Sequence, residues 1–96
     1  MPRTKQQRLA SLNSRFSHIQ DRIAHEKSIL MHLSKVCQSA GDDARLAEAG
    51  RPPRGFDHLA LGKSTKAVKD QHQRIAVLEN EQRIIDKRID ELTEEN

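Results

Sequence analysis

Nine positions in the first half of this chain follow an unbroken alternation of three- and four-residue steps, and eight of them are apolar: Leu9, Leu12, Phe16, Ile19, Ile23, Glu26, Leu30, Leu33 and Cys37. A second run has the same spacing: Val68, Gln71, Ile75, Leu78, Gln82, Ile85, Ile89 and Leu92. Steps of three and four hold side chains on one seam of a helix, which is the requirement for a coiled coil. The spacing therefore predicts an all-α chain of two long helices, paired as an antiparallel coiled-coil hairpin. It does not name the task the chain performs.

Amount of apolar material points the same way. Only 34% of the 96 residues are hydrophobic, two are aromatic (Phe16 and Phe56), and 32% are charged. A compact globule needs more apolar volume, whereas two long helices can be held by a narrow stripe. One domain over 1–96 is expected, and so small a core invites oligomerisation or a place in a larger complex.

The expected boundaries are a helix over about 5–40, a linker over about 41–63 and a helix over about 64–93. Gly41 is read as the C-terminal stop of the first helix. Asp42 is read as the cap of a short helical piece, Asp43 to Ala49, which Gly50 ends. Pro52 and Pro53 make the following run irregular. Gly62 closes the linker, and Ser64 or Thr65 caps the second helix.

An antiparallel register that keeps seam opposite seam pairs Leu9 with Leu92, Leu12 with Ile89, Phe16 with Ile85, Ile23 with Leu78 and Leu33 with Val68. Three layers are then mixed: Ile19 with Gln82, Glu26 with Ile75 and Leu30 with Gln71. A slip of one heptad preserves the apolar pattern, so register is left to the polar seam residues. Glu26 is expected to meet a basic residue of another helix or to reach solvent, because a buried unpaired carboxylate is costly.

A second set of apolar residues off the seam stands out. Ile29 and Val36 on the first helix, and Val77 and Ile84 on the second, are each seven apart, as a further helix would require. Phe56, Leu59 and Leu61 follow the prolines and either plug the tip of the hairpin or dock a partner. A linker this long is more than a helical hairpin needs.

Net charge is +3, concentrated at the start: residues 1–30 hold six Arg or Lys against two acids, whereas residues 61–96 hold seven against eight. Arg8, Arg15 and Arg22 recur every seven residues as a basic ridge beside the seam. Such a ridge can track phosphates, or can pack its stems along a coiled coil and face an acid such as Glu81. Gly50-Arg51-Pro52 resembles the core of an AT-hook, which implies minor-groove contact by Arg51; Arg54 adds charge nearby, which Asp57 and Glu48 dilute. The chain departs from that pattern at Ala49, where a second basic residue belongs. Pro2-Arg3-Thr4-Lys5-Gln6 resembles the amino terminus of a core histone, Ala-Arg-Thr-Lys-Gln, which implies a chromatin-reading partner and a modifiable Lys5.

Enzymatic chemistry finds little support. His18, His25 and His32 repeat every seven residues, a rise of about 10.5 Å that prevents any two from sharing an ion. His58 and His72 have no ligand cluster at metal spacing. Leu61-Gly62-Lys63-Ser64-Thr65 resembles the end of a phosphate-binding P-loop, but Asp57 stands where the first glycine belongs and no strand precedes it. Cys37, the only cysteine, lies on the seam, where a thiol is usually inert and no disulfide can form within the chain. We expect no catalytic residue, no metal, no cofactor and no small-molecule substrate. No apolar run suits a membrane span or a leader near Met1, so the chain is expected to be soluble and intracellular, cytoplasmic or nuclear. The expected function is that of a non-enzymatic adaptor or subunit that self-associates or joins a helical assembly. A nucleic-acid-associated accessory protein is the alternative.

Overall fold

In the computed structural model, residues 4–94 are described. They form two helices, α1 (Lys5–Glu48) and α2 (Ala60–Glu94), with no strand among them. The molecule measures 71 × 17 × 16 Å. A helix of 44 residues is about 66 Å long, so α1 alone sets the length of the rod and α2 lies beside it. From Glu26 through Cys37 to Gly41 on α1, the facing residues on α2 run backwards from Gln71 through Thr65 to Leu61. The chain thus doubles back on itself.

A reciprocal cap starts α1. The amide of Gln7 donates to Oγ1 of Thr4 at 3.2 Å, and the amide of Thr4 donates to Oε1 of Gln7 at 3.0 Å. Two donors left over at the helix start are satisfied in this way.

At its other end α1 outruns the expected stop. It passes through Gly41 and ends at Glu48, so the linker spans 49–59 rather than 41–63 and there is no separate helical piece. A helical glycine costs about 1 kcal/mol relative to alanine, which good helix formers on either side can offset. Ala40 is buried, Ala44 and Ala47 are half-buried, and a β-carbon on Gly41 would stand 3.8 Å from Cδ1 of Leu61. This stretch therefore still packs on α2. Asp42 caps nothing; its carboxylate lies 3.5 Å from the Arg45 guanidinium within the same helix.

Termination comes at Gly50. With φ at +78°, it lets the Arg51 amide reach the Leu46 carbonyl at 2.8 Å while its own amide reaches Ala47 at 3.0 Å. These are the two bonds of a Schellman ending, which needs a left-handed residue just past the cap. Pro52 and Pro53 then forbid further helix. A β-turn follows, in which Phe56 donates to the Pro53 carbonyl at 3.1 Å across Gly55, whose φ is +79°.

The second helix begins earlier than Ser64 or Thr65. Asp57 organises its start: its Oδ1 accepts from the Leu59 amide at 2.9 Å, and its carbonyl accepts from the Ala60 amide at 3.1 Å. Ser64 and Thr65 lie inside the helix, where their hydroxyls donate to the carbonyls of Ala60 and Leu61. Short hydroxyl side chains serve both purposes, and here the back-bonding one is realised.

The interior is a line of aliphatic contacts. Ile19, Ile23, Leu78 and Ile85 form the buried cluster, with Leu12, Phe16 and Ile89 packed against it. All nine positions of the first 3-4 run and all eight of the second are buried or half-buried. Gln71, 5% exposed, is the buried polar residue among them. It does not sit in a layer with Leu30 alone, nor does Glu26 meet a basic residue. Gln71 Nε2 donates to the Glu26 carbonyl at 2.9 Å and also to the Glu26 carboxylate.

Candidate functional site

Surface left over by this packing is uneven. Val77 is 59% exposed, Ile84 48% and Val36 43%, whereas Ile29 is half-buried. Val77 and Ile84 are two turns apart on α2, and a seven-residue step keeps them in one row. Val77 lines a shallow groove between the helices together with Arg22, Asp70, Arg74 and Glu81. An adjoining groove is lined by Arg15 and His18, and shares Arg22 and Glu81 with the first. The two therefore form one continuous face, running obliquely over both helices.

Arg8, Arg15 and Arg22 are all exposed, as the seven-residue repeat requires of a ridge beside the packed line. Among the described residues, neither Arg15 nor Arg22 comes within ion-pair distance of Glu81, although all three border the same groove. Arg74 belongs to this face too. It lies outside the seven-residue repeat of the α1 ridge, although its place three residues before Val77 puts it on the same side of α2.

At the tip, Leu59 is 64% exposed and Leu61 38%, while Phe56 is half-buried and packs edge-on against His58 with ring centroids 4.8 Å apart. The apolar trio is thus split: Leu61 reaches back towards Gly41, and Leu59 faces outward. Arg51 and Arg54 are exposed on either side of the prolines. Met31 and Leu46 are further exposed apolar residues that periodicity did not single out. Leu46 was missed because α1 was expected to stop before it.

Metal-ligand chemistry is sparse. Among the described residues no three His, Cys, Asp or Glu side chains cluster so as to hold a metal ion, and His18, His25, His32 and His72 are exposed along the helices. The Cys37 thiol is half-buried, 3.7 Å from the Thr65 hydroxyl. No described helix is long and apolar enough to cross a membrane. Of the histone-like segment, Pro2 and Arg3 lie outside the described residues, and Thr4 serves as the helix cap.

Comparison with known proteins adds no relationship: no family model matches the chain, and neither a curated protein nor a solved structure shows significant similarity to it.

Proposed function

We propose that this chain is a non-enzymatic interaction module: an antiparallel coiled-coil hairpin that serves as a small adaptor or subunit of a helical assembly. One observation carries the reading. The two 3-4 runs are consumed by packing between α1 and α2, yet Val77 and Ile84 stand exposed in a row of their own. Aliphatic side chains in heptad register outside the packed seam are what a further helix would cover. Scattered single aliphatics are ordinary on surfaces; an aligned pair, of which Val77 lines a groove, is more specific. The seam residues act as the scaffold, and Ile29, Val36, Val77, Ile84, Leu59 and Leu61 are the candidate contacts.

The alternative, an accessory protein of nucleic acid, draws on the exposed Arg8, Arg15 and Arg22 and on Arg51 and Arg54 at the tip. Asp70 and Glu81 on the same face weaken it, because they repel phosphate. The two readings separate by salt. Phosphate-driven binding falls by orders of magnitude between about 50 and 200 mM salt, whereas aliphatic association survives. The test is anisotropy of a labelled duplex of generic sequence, titrated with the chain across that range. The interaction reading predicts no tight complex at the upper end. A salt-labile complex lost on changing Arg15 and Arg22 to Gln would transfer the function to the alternative.

A further inference from the structure

Resting on the interaction reading, we infer that α1 docks a second copy of this chain, antiparallel, so that Ile29 of each copy packs on Val36 of the other and Arg22 meets Asp43. One row of α1 points to this partner. Arg8, Arg15, Arg22, Ile29, Val36 and Asp43 follow one another at seven-residue steps, which hold them on one side of the helix beside the packed seam. Along its length the row turns from basic to aliphatic to acidic. Val36 is 43% exposed, Ile29 and Asp43 are half-buried, and Arg22 is exposed on the border of the groove it shares with Arg74. Among the described residues neither Arg22 nor Asp43 takes part in an ion pair, whereas neighbouring Asp42 lies 3.5 Å from Arg45.

The order of these residues is self-complementary. A two-fold axis crossing α1 between His32 and Leu33 lays Ile29 on Val36 and Arg22 on Asp43, and symmetry repeats each contact. Aliphatics then cover aliphatics, and each charge meets its opposite. Sliding by a heptad in either direction would set Arg22 on Val36 or Ile29 on Asp43. Parallel pairing in register would stack Arg22 on Arg22 and Asp43 on Asp43, which is unfavourable.

The second helix tolerates this approach. Ala60, Ala67 and Arg74 repeat every seven residues, and Arg74 shares the groove with Arg22, so their row borders the same face. Ala60 and Ala67 are small and half-buried. Because Glu26 faces Gln71 and Cys37 faces Thr65, the two-fold falls near Ala67 and Val68. It brings Arg74 of one copy towards Lys63 of the other; Lys63 already sits 3.8 Å from Asp57, which offsets the like charge. The overlap from Arg22 to Asp43 runs about 32 Å along the helix. On a rod 17 Å wide it buries on the order of 500 Å² per copy, the size of a weak, reversible interface. Other occupants fit less well. A foreign helix of one charge sign would satisfy Arg22 and oppose Asp43, or the reverse, and Asp43 would repel nucleic acid.

The test is sedimentation equilibrium of the full chain over a range of concentrations. The natural chain should pass reversibly from monomer to dimer. Val36→Asp should weaken the dimer by at least about tenfold. Arg22→Asp and Asp43→Arg should each do the same, because symmetry strikes both copies of the contact. An equimolar mixture of those two variants should regain most of the lost association, since every contact again joins opposite signs. Damage to the fold would not be rescued by mixing, and circular dichroism of each variant verifies that the helices persist. A natural chain that stays monomeric up to its highest soluble concentration overturns the inference and leaves the interaction reading to a different protein at Val77 and Ile84. A dimer indifferent to both charge reversals, or a mixture that fails to associate, overturns it as well. A dimer that only Val77→Asp dissociates would join copies through the other row, which overturns the inference and upholds the interaction reading. If the chain stays monomeric and binds only a duplex, with steep salt dependence, both fall.

Discussion

Gln71 reaches across the hairpin to Glu26, donating to its backbone carbonyl at 2.9 Å and to its carboxylate as well. This clasp settles a question the apolar pattern leaves open. Sliding one helix by a heptad would keep aliphatic opposite aliphatic, but would move Gln71 about 10.5 Å along α1 and so break its bonds to Glu26. A buried amide stripped of its partner costs about 1–3 kcal/mol. The polar pair therefore selects one register out of several that burial alone would accept.

Gln71→Ala should lower stability by about 1–2 kcal/mol in chemical denaturation, from the lost hydrogen bonds and the small cavity. Replacing both Glu26 and Gln71 by Leu should do the opposite to the midpoint and raise it, while loosening register. Heteronuclear NMR reads the second effect. One set of amide peaks is expected for the natural chain and more than one for the double Leu variant; a single sharp set in that variant would deny the clasp its role.

How the sequence disclosed this molecule, and where it did not, follows from what each signal depends on. The 3-4 spacing depends only on residue type, so the positions from Leu9 to Cys37 and from Val68 to Leu92 could be picked out directly, and all are at least half-buried. Helix ends depend on competition between local preferences. Gly41 looked like a stop but is carried within α1 by the packing of Ala40 and Leu61 around it. Ser64 and Thr65 looked like caps because hydroxyls accept from amides; inside α2 they donate to carbonyls four residues back. Asp57, which does organise the start of α2, entered the sequence reading as the residue standing where a P-loop glycine belongs, not as a cap. Exposed Val77 and Ile84 were legible from phase, whereas the groove that Val77 shares with Arg22 and Arg74 required the two helices to be placed side by side.

Two glycines should respond to alanine in opposite directions. Gly41 has helical backbone, and an added β-carbon would meet only Cδ1 of Leu61 at 3.8 Å, an ordinary contact. Gly41→Ala should stabilise the hairpin by about 0.5–1 kcal/mol. Gly50, at φ +78°, holds the Schellman ending, so Gly50→Ala should cost about 1 kcal/mol from the left-handed backbone it must keep. Thermal melts of both variants against the natural chain check the signs. A loss at Gly41 would show that α1 breaks there in solution.

Core and face should part company energetically. Ile85 is 3% exposed, and Ile85→Ala should cost about 2–4 kcal/mol. Val77 is 59% exposed, and Val77→Ala should change stability by no more than about 0.5 kcal/mol. Denaturant midpoints of the two variants make the comparison. Similar large losses at both sites would mean that Val77 is already covered, by a second copy or by a different packing of the helices.

The most direct check on the account is the distance between spin labels at Arg8 and Glu91, both exposed and at opposite ends of the chain. Cys37→Ser removes the native thiol, and the labelled chain is diluted into unlabelled chain so that only distances within one molecule are read. Packed helix axes lie about 8–10 Å apart, so the hairpin predicts a narrow distribution on the order of 20–30 Å once the label arms are included, unchanged by dilution. A distance approaching the 71 Å length of the rod, or a short distance that vanishes on dilution, would show that the helices pair between chains and would contradict the account.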